Sequence, residues 1–301
     1  MRKLYKLWWP RLASSFRTLT WVTFLLLSTA SASRTVQDET GRLVVLPDRV
    51  SRVVCLTPSV TDTIYALGAA SEIVGITDYT QYPEQASREK PSIGDIINPS
   101  LERIIALHPD VVIGQSTLNS PATIQGLERV GVPVFLVTGH GLAGVYISIA
   151  SIGRALALED QAADLVAKLK AREQKVRDVA KAGKHPSVFL VVQLDPCITA
   201  GGSAFITELI EAAGARSVTD DLKQDWLRVN LEAIIPRNPD YIMLMKSAPI
   251  QLQDMRARPA WNALRAVKQG KIIRADDRLQ SPSPVAFDGL EDLARQLQAA
   301  K

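Results

Sequence analysis

Apolar and polar residues alternate along this chain with two different periods. Short runs rich in Val, Ile and Leu, such as residues 52–56 and 188–193, are followed by longer stretches in which apolar residues recur every three or four positions. The first pattern is typical of buried strands and the second of amphipathic helices. Their repeated alternation predicts an α/β fold with mostly parallel sheets.

One predicted helix is much longer than the others. From Glu159 to about Lys181 the chain has no glycine or proline, and acids precede lysines, as the helix dipole favours. At about 1.5 Å per residue this helix would be roughly 35 Å long. The strand–helix alternation stops before it and restarts after it. We therefore predict two Rossmann-like α/β lobes, residues 33–141 and 186–301, joined by a helical segment over 142–185 that contains a single long backbone helix, with a ligand cleft between the lobes.

A helix–turn–strand segment occurs twice in the sequence. SLERIIALHPDVVI begins at Ser100 and NLEAIIPRNPDYIM begins at Asn230, and the two share Leu, Glu, Ile, Ile, Pro and Asp at matching positions. Each copy carries a glutamate, Glu102 or Glu232, where the helix begins. A carboxylate in the first turn stabilises its own helix. The repeat predicts that the two lobes have the same design.

The first 32 residues have the three parts of a secretory signal peptide. Five basic residues and no acid precede the apolar run LTWVTFLLL, and small residues follow up to Ala32. An uncleaved anchor is the alternative, although this apolar run is short for a bilayer. Without the leader, 30 basic and 31 acidic residues remain. This balance gives no electrostatic case for binding nucleic acid or an acidic membrane surface.

Known catalytic motifs are missing from the sequence. It contains no G-x-S-x-G, H-E-x-x-H or Walker A pattern. Its three histidines are scattered, which disfavours a histidine metal site. Cys55 and Cys197 each lie in an apolar run and are predicted to be buried thiols, with a disulfide as the alternative. An exported α/β enzyme would need a nucleophile–base pair, so the sequence favours binding without catalysis.

Candidate binding residues follow the predicted strands in both halves, where ligands bind in open α/β sheets. They are Tyr79, Tyr82, Gly94 and Asp95 in the first half, and Asp195, Trp226 and Asp277 in the second. Trp226 has charged neighbours in a predicted loop, where a ligand or its own domain would have to cover the ring. Trp261, near the start of an amphipathic helix, is predicted to lie in the core.

Nearly all of the chain after the leader resembles the periplasmic substrate-binding proteins of ABC importers whose lobes are joined by one rigid helix. The resemblance rests on RVVCLTPSVTDTIYALGA, IVGITDYTQYPEQA, AGGSAFITELIEAAGA, WNALRAVKQGKI and both copies of the repeat. The Asp78–Pro83 loop, and Trp226 six residues before Glu232, are most similar to the vitamin B12 (cobalamin) binders. The resemblance implies a periplasmic monomer that is not an enzyme and has no cofactor or metal of its own. It implies that this monomer delivers cobalamin to an ABC permease dimer of the inner membrane.

The resemblance also implies roles for particular residues. Tyr79 and Trp226 would lie against the corrin ring, Asp277 would bind the ligand's amides, and Glu102 and Glu232 would dock onto permease arginines. The chain departs from the family's pattern in two places. It has no tryptophan near Gly94, and SPSPV, from Ser281, stands where many relatives have two arginines.

The loss of those arginines argues against an anionic ligand at that loop. A ferric-siderophore or haem receptor is the nearest alternative, with Arg228 and Arg278 as the candidate cleft arginines. A sensory or scaffold domain that uses the same fold without transport is a further alternative.

Overall fold

The structure, a computed structural model, describes residues 32–299 and contains two four-stranded parallel sheets. The predicted signal peptide, apart from Ala32, lies outside the described residues. The strands of the first half are β1 (Ser33–Gln37), β2 (Leu43–Pro47), β3 (Val53–Cys55), β4 (Ile73–Gly75), β5 (Val111–Gln115) and β6 (Val134–Val137). Its helices are α1 (Pro58–Ala66), α2 (Glu84–Glu89), α3 (Leu101–Ala106) and α4 (Pro121–Arg129). β1 and β2 form an antiparallel hairpin, and the other four strands form the first parallel sheet.

Two helices, α5 (Gly141–Leu156) and α6 (Glu159–Lys181), lead to the second half. The strands there are β7 (Ser187–Leu190), β8 (Gln193–Leu194), β9 (Cys197–Ala200), β10 (Arg216–Ser217), β11 (Trp226–Arg228), β12 (Tyr241–Met245) and β13 (Ile272–Ala275). The helices are α7 (Phe205–Ala212), α8 (Leu231–Ile234), α9 (Leu252–Arg256), α10 (Pro259–Asn262), α11 (Arg265–Gln269) and α12 (Ala286–Ala299). Short 3-10 turns occupy Ala70–Glu72, Ile235–Arg237 and Asp277–Gln280.

The two parallel sheets have the same topology. Their strand orders are β4-β3-β5-β6 and β10-β7-β12-β13, so in each half the second strand is at one edge and the first and third pair in the centre. All pairs within these two sheets are parallel. The predicted α/β fold is confirmed, and the repeated segment supplies the central strand, β5 or β12, of each sheet.

The long helix predicted from Glu159 to Lys181 is present with those bounds. Near its start Ala162 packs closely on Gly153 of α5, and further along Arg172 forms ion pairs with Asp288 and Glu291 of α12 at 2.6 and 2.8 Å. A single apolar core includes side chains of both sheets together with residues of α5 and α6. The two halves are therefore built against the same pair of helices.

The outer face of each parallel sheet is covered by helices of its own half. In the first half α3 and α4 contribute Ile104 and Leu127, and in the second half the helices after β11 contribute Ile234 and Trp261. Trp261 is 3% exposed and stacks on Phe189 with ring centroids 6.1 Å apart, which confirms its predicted place in the core. Cys55 and Cys197 are also confirmed as buried free thiols.

The sequence reading missed several short elements. The sequence predicts a strand up to Gln193, a loop over residues 194–205 and a loop around Trp226, but β8, β9 and β11 form there and pair antiparallel in a three-stranded sheet. The polar composition of residues 78–100 predicts one long loop, but α2 lies within this segment. Strands of two to four residues carry too little periodicity to be recognised, because pairing with distant partners stabilises them.

The repeated Pro-Asp pair has the same structural role in both halves. His108 and Asn238, just before it, adopt left-handed conformations with φ of 44° and 41° and end the preceding helix. The Asp110 carboxylate then accepts hydrogen bonds from the backbone N–H and hydroxyl of Ser51 at 2.8 and 2.9 Å. Asp240 does the same for Ser187 at 2.9 and 2.8 Å. Each aspartate thus ties the start of its central strand to the chain entering the neighbouring strand.

Replacing Asp240 with alanine is expected to lower the free energy of unfolding by about 2 kcal/mol, since hydrogen bonds to a charged acceptor contribute about 1.5–3 kcal/mol. Hydrogen bonds from Ser187 hold the pKa of Asp240 below its ordinary value. These hydrogen bonds therefore stabilise the fold fully at pH values above the ordinary pKa of an aspartate. Their stabilisation is lost as the pH falls through the lower pKa that Asp240 has in the folded protein.

Urea unfolding followed by circular dichroism checks this at neutral pH and near pH 3. Asp164→Ala, at an exposed position of α6, is the control and should change stability little. If Asp240→Ala lowers the free energy of unfolding as much near pH 3 as at neutral pH, this role of the Asp240 carboxylate is contradicted.

Candidate ligand-binding cleft

Loops from both halves line two adjoining cavities where the sheets present their carboxyl ends. The first, the Trp chamber, has a volume of about 290 Å³ and is lined by Thr138, His140, Phe205, Asp225 and Trp226, among others. The second, the Tyr chamber, has a volume of about 450 Å³ and is lined by Asp62, Tyr79, Tyr82, Ser247, Asp277 and Ser281, among others. Gln115 and Leu118 of the first half, and Gln280 and Pro282 of the second, line both chambers and form the strip between them.

The tyrosines of the Tyr chamber come from the loop that follows β4. Hydrogen bonds from Asp78 N–H to the Gly94 carbonyl, 3.0 Å, and from Thr80 N–H to the Thr77 carbonyl, 3.2 Å, fold this loop. Tyr79 remains 58% exposed at the chamber. Burial raises the pKa of Tyr82, and the nearby carboxylates Asp276 and Asp277 raise it further. Tyr82 is therefore a neutral phenol that can donate or accept a hydrogen bond.

Asp277 faces the tyrosines from the second half. Its carboxylate accepts hydrogen bonds from the Ser247 backbone N–H at 3.1 Å and the Ser247 hydroxyl at 2.5 Å. Its neighbour Arg278 is held by Asp276 and Asp288 at 2.8 and 3.0 Å. Arg278 lines neither chamber. Among the described residues, no lysine or arginine lines either one.

Trp226 reaches the Trp chamber from strand β11. The strand is fixed by its antiparallel pairing with β9, in which Trp226 lies opposite Ala200. The indole is 49% exposed. Arg228, two residues further along the same strand, does not line the chamber. The structure thus brings Tyr79, Tyr82, Trp226 and Asp277 to the two adjoining chambers, and their ligand-binding roles stay predictions.

Three other predicted residues lie outside both chambers. Gly94 turns the chain with φ of 98°, and Asp95 accepts hydrogen bonds from the Ile97 and Asn98 backbones at 2.6 and 3.3 Å. Asp195 is in the turn between β8 and β9, 3.6 Å from Arg258. These residues shape local turns, and their ligand-binding roles stay predictions. Ile96, next to Asp95, does line the Tyr chamber.

Sequence reasoning missed Asp62, which borders the Tyr chamber on α1. It is 2% exposed and accepts hydrogen bonds from the Ser281 and Ser283 hydroxyls at 3.0 and 2.9 Å. Burial raises the pKa of Asp62 to about 7, although the two hydroxyl hydrogen bonds oppose the shift. The available signal was an acid in the middle of an otherwise apolar and hydroxyl-bearing helix. His140 was missed although it lies in a G-x-G-x-x-G pattern, residues 139–144, between β6 and α5. Gln115 and Gln280 were missed because nothing in their local sequence distinguishes them.

The two repeated glutamates occupy equivalent places. Each is the second residue of its helix, after the cap Ser100 for Glu102 and the cap Asn230 for Glu232, and each is exposed. A helix that leads into a parallel strand begins near the carboxyl edge of the sheet, so both lie toward the cleft side. Within residues 32–299 neither carboxylate forms an ion pair with another side chain.

A sequence profile of the periplasmic binding protein family matches residues 53–279. The chain belongs to the periplasmic binding protein family. It is a substrate-binding protein of an ABC transporter and not an enzyme. It is 30% identical to an uncharacterised ABC transporter substrate-binding lipoprotein of Bacillus subtilis, over 87% of this chain and 85% of that one.

Other proteins that this chain is similar to differ in the ligands that their names give. A vitamin B12-binding protein of Vibrio parahaemolyticus is 24% identical over 86% of this chain and 94% of its own length. A periplasmic haem-binding protein from Roseiflexus, solved in its apo form, is 25% identical, with a TM-score of 0.76 over 83% of this chain and 99% of that one. Over residues 32–299 the chain has no helix with the length and apolar character to cross a bilayer.

Proposed function

We propose that this periplasmic binding protein captures a corrinoid, cobalamin or a near relative, and delivers it to an ABC permease of the inner membrane. The observation that carries the proposal is a cleft with aromatic side chains from both halves and no lysine or arginine in the lining of the described chambers. A corrin is a broad, flat macrocycle fringed with amides, which suits aromatic contact and hydrogen bonding to neutral or acidic groups.

The polar groups of the Tyr chamber match amide donors. Asp277, Tyr82 and Ser247 offer oxygen acceptors, whereas an anionic chelate requires arginine or lysine donors. A single macrocycle can touch both Tyr79 and Trp226 only if the strip between the chambers opens. Gln115 and Leu118 of the first half must then move apart from Gln280 and Pro282 of the second half. Since the halves share α5 and α6, this separation would be a small rocking motion without a hinge.

Haem is the second candidate, and two observations favour it. The haem-binding relative has the same fold over 83% of this chain, and His140 in the Trp chamber is a side chain of the type that coordinates haem iron. The absence of lysine and arginine from the described chamber linings argues against haem, because its two propionates are anionic.

Titration of the chain from Arg34 onward tests the proposal. Cyanocobalamin, haemin and a ferric hydroxamate siderophore would be added separately while tryptophan emission and visible absorbance are followed. Only Trp226 and Trp261 remain in this chain, and Trp261 is buried. We expect saturable quenching by cyanocobalamin, retained in Trp261→Phe. Tight haem or siderophore binding without corrinoid binding would overturn the ligand assignment.

Two further parts of the proposal concern delivery. We propose that residues 1–32 direct export and are removed, which leaves a periplasmic monomer. Glu102 and Glu232, exposed at equivalent sites of the two halves, would then give the permease dimer two negative contacts in a fixed register.

A further inference from the structure

Two serines of the second half hold one carboxylate of the first half. Ser281 and Ser283, in the segment between the Asp277–Gln280 turn and α12, donate to Oδ2 of Asp62 on α1 at 3.0 and 2.9 Å. Ser283 and Asp62 are both buried. These hydrogen bonds join the halves directly across the cleft, whereas α5 and α6 join them along their length. The segment and α1 both border the Tyr chamber.

The second oxygen of this carboxyl is buried and lacks a hydrogen-bond partner among the described residues. A carboxylic acid tolerates that situation, because its charge is zero and its proton can lie between Asp62 and a serine. A carboxylate does not, since it would keep its charge out of water with two hydroxyl donors and no cation.

Among the described residues no cation forms an ion pair with Asp62, and Lys90 acts on Cys55, whose pKa its charge lowers. Cys55 on β3 is behind α1, and burial and the Asp62 charge both raise its pKa. Tyr82 and Asp277 face Asp62 from the chamber, one a neutral phenol and the other an acid. Arg278 lies beyond them and is paired with Asp276 and Asp288.

We propose that Asp62, Ser281 and Ser283 form a proton-dependent latch between the two halves. In the acid form the latch holds the segment 281–283 against α1. In the carboxylate form the segment separates from α1, so that water reaches both carboxyl oxygens. The water comes from the Tyr chamber, which Asp62 already borders.

The sign of the pH dependence follows from burial. Because burial raises the pKa of Asp62 from 3.8 to about 7 in the closed arrangement, closure is favoured most at low pH. The free-energy advantage of the closed arrangement is lost as the pH rises from 3.8, the ordinary pKa of an aspartate, toward 7. None of this advantage remains at higher pH. The latch therefore opens on the alkaline side of neutrality.

Opening would also change the cleft. Gln280 and Pro282 belong to the strip between the chambers, and Pro282 lies between the two serines of the latch. Release of this segment widens the passage from one chamber to the other. This consequence for ligand entry rests on the proposed function, whereas the latch itself does not.

The test measures the distance between the halves without any ligand. Spin labels would be placed at Gln125→Cys on α4 and Gln269→Cys on α11, both exposed positions. The native thiols are buried, with pKa values raised to about 12, so they should react slowly with the label. Pulsed dipolar spectroscopy at about pH 5.5 and about pH 8.5 then reports the separation on either side of the transition.

We expect the wild-type distance distribution to shift to longer values at the higher pH. Asp62→Asn, which keeps a carbonyl acceptor for the serines and has no charge at either pH, should remain closed and lose the shift. The pair Ser281→Ala and Ser283→Ala removes the donors and should give the longer distances at both pH values.

Equal wild-type distances at the two pH values, or the same shift in Asp62→Asn, would overturn the latch. If Asp62→Asn does not fold, hydrogen exchange of residues 279–286 in the wild-type chain, corrected for intrinsic rates, decides the question. Loss of protection at high pH supports the latch, and unchanged protection overturns it. Neither readout depends on a corrinoid, so failure here leaves the proposed function intact.

Discussion

Replacing Glu102 and Glu232 together with glutamine is expected to reduce ligand uptake at least about 100-fold and to leave ligand affinity unchanged. Loss of one partner of a close interfacial charge pair costs about 2–5 kcal/mol, because the arginine on the other side loses its partner. Both glutamates are exposed and lie outside the two chambers. Their removal should therefore affect docking without affecting the cleft.

Uptake into proteoliposomes that contain the cognate permease measures the first quantity, and titration of the isolated chain measures the second. Each single variant should have an intermediate effect, since the other contact remains. Glu159→Gln, an exposed acid in the first turn of α6, is a matched control and should behave as wild type. A parallel fall in affinity and uptake, or normal uptake by the double variant, would disprove the docking role.

Trp226→Ala is expected to weaken cyanocobalamin binding by about 30-fold. Large aromatic side chains at the centre of an interface commonly contribute about 2 kcal/mol or more when truncated. The indole is 49% exposed in the Trp chamber and would be covered by the ligand. Its strand pairing with β9 is through the backbone, so truncation should leave the position of β11 intact.

Calorimetry is the suitable measurement, because this variant loses the fluorescent reporter. Trp226→Phe should recover most of the affinity, and Trp261→Phe, altered in the buried core, should bind as wild type. An unchanged dissociation constant for Trp226→Ala would show that the ligand does not lie against this ring.

The parallel sheets and the long helix could be predicted from the sequence because their signals are local and repeated. β12 is a continuous apolar run, β5 begins with three consecutive apolar residues, and α6 has 23 residues without a breaker. The repeat marks one of the two central strands of each parallel sheet. Its shared aspartate was not understood from sequence, because its hydrogen-bond partner lies more than 50 positions away.

The cleft was only partly predictable for the same reason. Tyr79, Tyr82, Trp226 and Asp277 could be proposed because strand ends and exposed aromatics indicate binding. Asp95 has the same residue type and a similar loop position, yet its carboxylate caps its own turn. Asp62 gains its role from serines more than 200 residues later. Local sequence cannot distinguish an aspartate that serves a turn from one that serves a cleft.

The apolar core that both halves share through α5 and α6 has a consequence for how the molecule comes apart. We expect that neither half unfolds alone, because its unfolding would remove packing contacts from α5 and α6, on which the other half also packs. Calorimetry should therefore record one cooperative unfolding transition. Proteolytic cleavage within α6 should unfold both halves. The chain therefore cannot be divided within these helices to give a minimal binding fragment, or a split reporter whose two parts fold independently.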